Sequence, residues 1–322
     1  MKKFLFKSIV FFLIGILIYP FLIGFLGSSW LTQRRLTKNL IFFQGGNSFM
    51  WTKLQEADTT KNIDVLILGS SIALRGIDTR VFEKYGLRAF NMGSNYQTPL
   101  QSEFLLNKYL DQFSPKYVIW EVTPLTFQNS GLESFIDVFS NTDIGIEAFK
   151  QSFRISNILA WNSLIISLTR QNFGDYKKYK ERDIKGDSKY VNGGYVETNN
   201  PVFNDSSKLN SYKIEFLNYQ KSSFENALYF LKKNNVKVVL INSPTTTEDF
   251  NNIKNWEDII TYFESFKKDR LVYDYRNYND LIPEFGENTN FFSDKIHLNK
   301  VGANEYTEIL LDDLRGTNFY SR

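Results

Sequence analysis

The 322-residue sequence has no cysteine and a single histidine, His297. The absence of cysteine excludes disulfide bonds, iron–sulfur clusters, thiolate zinc sites and cysteine nucleophiles, although it does not identify a compartment. A zinc site built from two or three histidines is impossible within one chain, so no metal or other cofactor is expected. If an imidazole acts as a general base in this protein, it belongs to His297.

The sequence also lacks an excess of charge of either sign. Its 38 basic and 35 acidic residues leave a formal net charge of +3, so there is no electrostatic case for a nucleic-acid partner. Aromatic residues are abundant instead, with 30 phenylalanines and 18 tyrosines. They suit a large core and also aromatic platforms for sugars or lipids, in a chain long enough for one large domain or two small ones.

An uncharged apolar stretch occupies residues 8–27 and follows three lysines near the N-terminus. As a helix it is about 30 Å long, enough to cross a bilayer. The alternative is a cleaved signal peptide, but its apolar region is normally shorter, about 7–15 residues, and residues 26–29 form only a weak cleavage site. We therefore predict a membrane anchor over residues 1–29, with the bulk of the protein outside the cytoplasm.

Residues 30–61 form a connector without a clear hydrophobic period. Trp30 is expected near the membrane interface, and Arg34, Arg35 and Lys38 balance the lysines before the span, so the orientation is weakly specified. The sequence leaves three alternatives open for the connector. It docks on the domain, lies on the membrane surface, or contacts a membrane partner.

Short apolar runs alternate with helical patterns over residues 62–322. The predicted strands cover residues 63–68, 88–91, 117–122, 236–242 and 271–275. This alternation predicts an α/β domain with a doubly wound, mostly parallel sheet of about five strands flanked by helices. Residues 125–212 differ in character and are interpreted as an insertion. Its polar part, residues 172–210, is either a lid or substrate loop or a mobile surface excursion.

The first strand ends abruptly at Gly69-Ser70-Ser71. Glycine lets the chain turn sharply, and the two serines then lie at the carboxyl end of a central strand, where open α/β sheets bind ligands. On this stretch alone, a turn followed by a serine N-cap is an equally good interpretation.

A second motif, Asp294-x-x-His297, lies in the loop before the last helix. A serine hydroxyl is a poor nucleophile unless a base lies within hydrogen-bond reach and a third group orients that base. Asp294 can reach Nδ1 of His297, which leaves Nε2 free for Ser71. The predicted catalytic residues are therefore Ser71, His297 and Asp294.

Together the two motifs resemble the SGNH (GDSL-type) hydrolase superfamily. In that family an apolar strand ends in Gly-Asp-Ser, and a late Asp-x-x-His-x-x-x-x-Gly precedes the final helix. Ser70 stands in place of the family's aspartate, Ser71 matches the nucleophile by position, and residues 294–302 match the last block in residue types and spacing. The resemblance implies a flavodoxin-like sheet and an acyl-serine intermediate.

Two departures from the family concern the oxyanion hole. The family takes one donor from a glycine after the second strand and another from an asparagine, in Gly-x-Asn, after the third. Here Gly93 is the only glycine in the first of these loops, and no asparagine stands at the matching place in the other. The resemblance then suggests the backbone amides of Ser71 and Gly93, helped by the side chain of Asn95 or Thr123.

The chain combines an N-terminal anchor with Gly-Ser-Ser in place of Gly-Asp-Ser, and it lacks a Gly-x-Asn block. In this combination it resembles the SGNH-like proteins of cell-envelope modification. These include alginate and peptidoglycan O-acetylation proteins and the teichoic acid D-alanyl transfer protein. The resemblance implies a serine acyltransferase or esterase that acts on acyl groups, in particular O-acetyl groups, of an exported polysaccharide beside a membrane-bound O-acyltransferase. The alternatives are a catalytically weak polysaccharide-binding or scaffold component, and a fold-only relative in which Asp294 and His297 cap the last helix.

Overall fold

The computed structural model describes residues 1–28, 39–174, 176–199 and 211–320. The expectations for Trp30, Arg34, Arg35 and Lys38 lie outside these residues. So do the last residue of the weak cleavage site and part of the polar segment 172–210.

The described residues contain eight strands. They are β1 (Val65–Leu68), β2 (Ala89–Asn91), β3 (Tyr117–Glu121), β4 (Ile184–Lys185), β5 (Ser188–Val191), β6 (Tyr195–Thr198), β7 (Lys237–Asn242) and β8 (Asp274–Asn277). Five of them form one sheet in the order β2-β1-β3-β7-β8, and every neighbouring pair is parallel. The predicted α/β fold is confirmed. The last strand was placed too early, since β8 begins at Asp274.

The described residues also contain fifteen α-helices. They are α1 (Lys2–Gly27), α2 (Met50–Thr59), α3 (Ser71–Gly76), α4 (Thr79–Lys84), α5 (Pro99–Phe113), α6 (Leu125–Gln128), α7 (Leu132–Phe139), α8 (Ile146–Ile155), α9 (Ile158–Phe173), α10 (Asn218–Lys233), α11 (Thr247–Asn251), α12 (Trp256–Lys268), α13 (Tyr278–Leu281), α14 (Pro283–Glu287) and α15 (Lys300–Gly316). Alternate residues of β1 enter opposite cores, because side chains alternate along a strand. Leu66 and Leu68 join the core with α5 and α10, whereas Val65 and Ile67 join the core with α15.

The connector docks on the domain through α2. Phe49, Met50, Leu54 and Ala57 are 0–1 % exposed, and three of them belong to the larger core cluster. Burial of this kind is the main source of stabilisation in a folded domain. Of the three alternatives for the connector, the structure shows docking on the domain for α2.

The described part of the polar insertion covers an edge of the main sheet. Strands β4, β5 and β6 form a small antiparallel sheet, and the turn between β5 and β6 lies against the edge strand β2. The amide of Asn91 donates a hydrogen bond to the carbonyl of Gly193 at 2.7 Å. Edge strands otherwise expose unpaired backbone groups. Residues 176–199 therefore cover the edge of the sheet beside β2.

The close approach of this turn to β2 requires glycine at position 194. Gly194 has φ +85, and a Cβ there would lie 2.1 Å from the carbonyl oxygen of Asn91, whereas Gly186 has φ +57 and open space around it. We expect Gly186→Ala to destabilise the protein by about 1–2 kcal/mol, the cost of a left-handed side chain. Gly194→Ala should cost about 1–3 kcal/mol more, because of overpacking. Urea midpoints of the detergent-solubilised chain test this, and equal midpoints for the two variants would contradict it.

Candidate active site

The turn after β1 holds Ser71 at the carboxyl edge of the sheet. Gly69 has φ +145, and a Cβ there would lie 2.8 Å from the side chains of Ala73 and Glu121, so the turn requires glycine. Ser70 is the N-cap of α3, and its Oγ accepts a hydrogen bond from the amide of Ile72 at 3.2 Å. Ser70 therefore caps the helix, as one interpretation of the sequence proposed, and Ser71 is the first residue of the helix.

The three residues predicted to be catalytic lie in one continuous hydrogen-bond chain. Ser71 Oγ is 2.7 Å from His297 Nε2, and His297 Nδ1 is 2.7 Å from Asp294 Oδ2. Asp294 Oδ1 accepts hydrogen bonds from the amides of Ile296 and His297, both at 2.9 Å. Because Oδ1 is occupied by these amides, Oδ2 is the atom that faces the imidazole.

The carboxylate of Asp294 is held in its ionised form. Burial alone would raise the pKa of this carboxyl, but the hydrogen bond and the charge of His297, with the two backbone amides, lower the pKa below its ordinary value of 3.8. An ionised carboxylate accepts the hydrogen on Nδ1, so Nε2 of His297 presents its lone pair to the hydroxyl of Ser71. This is the tautomer that a general base for Ser71 requires.

The loop that carries this pair is separate from the cap of the last helix. Asn299 is the N-cap of α15, and its Oδ1 accepts hydrogen bonds from the amides of Val301 and Gly302 at 3.0 and 3.1 Å. Asp294 and His297 do not cap α15, as they would in the fold-only alternative.

Ser71 and His297 line an open cavity of about 390 Å³. Ligand pockets in proteins typically have volumes of about 300–1,000 Å³, so the size of this cavity suits a small ligand. Its wall combines apolar and polar side chains from several loops, namely Ser70, Ser71, Ile72, Tyr96, Thr123, Leu125, Thr126, Gln128, Asn129, Ile296 and His297.

Two of the residues suggested for the oxyanion hole are not placed to form it. The amide of Gly93 donates to Asn91 Oδ1 at 3.0 Å, and the carbonyl of Gly93 accepts a hydrogen bond from the buried ammonium of Lys53. Asn95 Oδ1 accepts a hydrogen bond from the Arg75 guanidinium at 3.3 Å. Neither Gly93 nor Asn95 belongs to the cavity wall.

The other two suggested donors, Ser71 and Thr123, do lie in the cavity wall. The amide of Ser71 is in the first turn of α3, where backbone N–H groups have no partner within the helix. The hydroxyl of Thr123 donates to Glu121 Oε1 at 2.5 Å, so its hydrogen is already used while Glu121 is ionised. The Ser71 amide is therefore the better placed of the four groups to donate to an oxyanion.

Glu121, which sequence reasoning did not single out, lies directly behind the turn formed by Ser70 and Ser71. It ends β3 and is 2 % exposed. Its carboxylate accepts hydrogen bonds from the hydroxyl of Ser70 at 3.3 Å, from the hydroxyl of Thr123, and from the amides of both residues. Burial raises the pKa of Glu121 to about 7. The sequence feature that could have identified Glu121 is a single carboxylate inside an apolar strand, next to the position where the family has Gly-x-Asn.

We expect Glu121→Gln to lower kcat for 4-nitrophenyl acetate by about 10- to 100-fold, because one buried donor of Ser70 or Thr123 loses its acceptor, at a cost of about 1–3 kcal/mol. The ionised carboxylate accepts all of these donors and the protonated form does not. The ratio of wild-type to variant rate should therefore rise with pH through the pKa of about 7. Rates measured between about pH 5.5 and 8.5 test this.

The matched control for this experiment is Glu133→Gln. Glu133 is an exposed residue of α7 whose carboxyl pKa is also raised by burial of part of the side chain, but it is not part of the cavity wall. The ratio of the wild-type rate to the Glu133→Gln rate should not change with pH. A constant ratio for Glu121→Gln would show that the buried carboxylate has no influence on the turn at Ser70 and Ser71.

No protein-family model matches the chain, and no curated protein matches it. Among solved structures, it is similar to a Bacteroides fragilis protein named as an acylhydrolase, with 11% sequence identity, a TM-score of 0.40, and coverage of 82% of this chain and 94% of the other. It is also similar to a GDSL-like lipase from Bacteroides thetaiotaomicron, with 13% identity, a TM-score of 0.42, and coverage of 84% and 98%.

Proposed function

We propose that this chain is an SGNH-type serine acyltransferase or esterase, anchored to a membrane by α1, that acts on O-acyl groups of an extracytoplasmic polysaccharide. The observation that carries the proposal is the hydrogen-bond chain from Ser71 through His297 to Asp294, with the serine and the histidine in the wall of an open cavity. The sequence motifs that resemble SGNH hydrolases contain the same three residues.

In the first half of the reaction, Ser71 Oγ attacks the carbonyl carbon of an acyl ester. Its proton passes to His297 Nε2, and Asp294 stabilises the imidazolium that forms. The tetrahedral intermediate then collapses, the bond to the leaving alcohol breaks, and His297 returns the proton to that oxygen. The products are an alcohol and an acyl ester on Ser71.

In the second half, a sugar hydroxyl or a water molecule attacks the acyl group on Ser71. His297 accepts the proton of the attacking oxygen and then gives it to the departing oxygen of Ser71. Attack by a sugar transfers the acyl group to the polysaccharide, whereas attack by water hydrolyses it. Both outcomes use the same three side chains, and the acceptor that enters the cavity determines which one occurs.

The cavity wall supports a substrate with both apolar and polar parts. Ile72, Leu125 and Ile296 supply apolar surface next to the nucleophile. Asn129 supplies a side-chain amide whose Oδ1 is fixed by the Gly131 amide at 2.8 Å, so its NH₂ group is the end that is free to bind a substrate oxygen. An acyl group beside a sugar has this combination of surfaces.

The anchor supports a location at a membrane. Within the described residues one helix, α1, is long and apolar enough to cross a bilayer. An anchored domain on the outer side would meet exported polysaccharide there. The partner that the motif resemblance implies, a membrane-bound O-acyltransferase, would deliver the acyl donor.

The proposal is tested by trapping the acyl-enzyme. The full chain in detergent is mixed with 4-nitrophenyl acetate, quenched in acid and digested, and the acetylated peptide is identified by mass spectrometry. We expect the acetyl group on Ser71, with faster release when acetyl-free polysaccharide is added to a transferase and no such acceleration for an esterase. An acetyl group on any other residue, or fluorophosphonate labelling that survives Ser71→Ala, would refute the assignment.

A second candidate function is a polysaccharide-binding or scaffold protein with weak catalysis. The observation that favours it is the engagement of the Gly93 amide with Asn91, which removes one of the family's oxyanion donors. Loss of one such donor typically costs about 100- to 1000-fold in rate. This function requires that Ser71→Ala and His297→Ala leave the envelope phenotype intact, whereas the acyltransferase requires both residues.

A further inference from the structure

Helix α9 of the insertion runs beside the anchor helix α1 in the same direction. The hydroxyl of Tyr19 donates to Asn162 Oδ1 at 2.5 Å, and the Arg170 Nε donates to the carbonyl of Gly27 at 2.9 Å. Both pairs are separated by 143 residues along the chain. The two helices are therefore parallel and in step over two turns.

Small residues of α1 make this contact close. A Cβ on Gly24 would lie 2.7 Å from Thr169 Oγ1, and one on Gly27 would lie 2.4 Å from Ile166 Cγ1. Glycines at a helix interface let two backbones approach, as membrane helices commonly do. The anchor is thus packed on the domain instead of being joined to it only through the connector.

The register places the start of α9 beside the apolar part of the anchor. The hydrogen bond between Tyr19 and Asn162 lies within the uncharged stretch 8–27 of the anchor. Tyr19 is about 12 Å from Gly27 along the axis, at about 1.5 Å per residue. The first turns of α9 therefore lie beside residues of α1 that are suited to lipid.

Large apolar side chains are exposed at the turn between α8 and α9. We call residues 153–168 the α8–α9 corner. Phe153 and Ile158 are 72% and 57% exposed. The buried face of the corner is mixed, since Ser163 and Ser167 lie there beside Leu164 and Ile166. Exposed apolar patches mark sites of contact with a membrane or another protein. No charged residue lies between Arg154 and Arg170 in the sequence.

Cationic side chains lie next to the exposed aromatic residue. Lys150 and Arg154 are on α8, with side chains 60% and 43% exposed, and they pair with Glu147 and Glu103 at 3.2 and 3.9 Å. Aromatic and aliphatic side chains flanked by Lys and Arg are typical of segments that lie at the boundary of headgroups and acyl chains. The charges match a shallow position and not the centre of the bilayer.

The part of α8 that leads into the corner contacts the start of α5, near the cavity. Gln151 of α8 bonds through Nε2 to the carbonyl of Leu100 at 3.1 Å, and its Oε1 accepts from Gln101 Nε2 at 3.0 Å. Both partners are in the first turn of α5, which follows the loop that carries Tyr96 of the cavity wall. The end of α8 that leads into the corner is thus tied to the edge that carries the active site.

We propose that the α8–α9 corner inserts shallowly into the bilayer leaflet beside α1, with lipid acyl chains as its occupant, and that it holds the active-site cavity against the membrane surface. The inference rests on the membrane anchor of the proposed function and goes beyond it. A single span leaves a domain free to rotate and tilt, and a second contact with lipid removes this freedom.

The absence of cysteine makes a direct test possible, because each single-cysteine variant carries one label. Phe153→Cys and Ile158→Cys report on the corner, Phe11→Cys on the anchor, and Tyr229→Cys, 60% exposed on α10, on a surface away from the corner. The full chain is labelled with an environment-sensitive fluorophore in vesicles of phosphatidylcholine and phosphatidylglycerol. Quenching by nitroxide-labelled lipid and by aqueous iodide is then compared.

We expect labels at Phe153 and Ile158 to be quenched by lipid nitroxide, as at Phe11, and to be several-fold less sensitive to iodide than the label at Tyr229. A dye on Tyr96→Cys should transfer energy to headgroup-labelled lipid more efficiently than a dye on Tyr229→Cys. Urea midpoints close to that of the wild-type chain show that the labelled variants are folded.

Three outcomes would overturn the inference. Iodide quenching at Phe153 equal to that at Tyr229, with Phe11 in lipid, would place the corner in water. Protection from both quenchers would identify a protein contact between copies. A water-exposed Phe11 would remove the anchor on which the inference rests, whereas trapping of the acyl group on Ser71 tests the catalytic proposal independently.

Discussion

Replacing Ser71 with alanine is expected to lower kcat for 4-nitrophenyl acetate by about 10⁴- to 10⁶-fold, because no other hydroxyl lies at hydrogen-bond distance from His297 Nε2 among the described residues. His297→Ala should have an effect of similar size. The double variant should be no slower than either single variant, since nucleophile and base act as one unit. Stopped-flow release of 4-nitrophenol measures all three rates.

The neighbouring serine provides the matched control. Ser70 caps α3 and touches Glu121, but its Oγ has no contact with the imidazole among its hydrogen bonds. Ser70→Ala should cost about 0.5–2 kcal/mol of stability through loss of the cap, while fluorophosphonate labelling of Ser71 persists. If Ser70→Ala abolished labelling and Ser71→Ala did not, the nucleophile would be the wrong serine of the pair.

The second large effect is expected for Asp294→Asn, with a fall in kcat of about 10⁴-fold. Asparagine keeps the shape of the side chain, and its oxygen would remain with the amides of Ile296 and His297 that now bind Oδ1. Its NH₂ group would then face Nδ1 of His297. A donor at that place stabilises the tautomer with hydrogen on Nε2, which has no lone pair for the proton of Ser71.

A pH dependence of stability separates this effect from unfolding. The pKa of Asp294 lies below its ordinary value of 3.8 in the folded protein, so its contribution to stability is present above that pH and is lost as the pH falls through the folded pKa. Asp294→Asn should therefore be less stable than the wild type near neutrality, and the difference in stability should shrink as the pH falls below 3.8. A fall in rate at neutral pH that only follows the folded fraction of the variant would contradict the tautomer argument.

The parts of the site that lie in short sequence motifs were predictable. Gly69 and the serines after it mark the end of a buried strand, and Asp294 is close enough in sequence to His297 for a contact to follow from spacing. A parallel sheet brings the ends of its strands to one edge, so the serine and the histidine were expected to meet. The apolar runs also predicted the central strands, because a strand buried on both faces has no polar alternation.

The parts that depend on pairing between distant segments were not predictable. Glu121 meets the Ser70 turn only because β1 pairs with β3, with Leu68 opposite Trp120. The Gly93 amide is engaged because the side chain of Asn91 turns back towards it, and no local pattern specifies that orientation. The Gly194 turn likewise docks on β2 from about a hundred residues away along the chain.

The pairing of α1 with α9 has a kinetic consequence for the proposed reaction. A cavity held at a fixed height above lipid meets a membrane-borne acyl donor at an effective concentration that depends on the donor's surface density and not on its amount per volume of solution. Dilution of the vesicles should then leave the rate per enzyme unchanged, whereas dilution of the donor with inert lipid within the bilayer should lower it. The close contact of α1 with α9 thus makes the reaction rate depend on the surface density of the donor in the membrane.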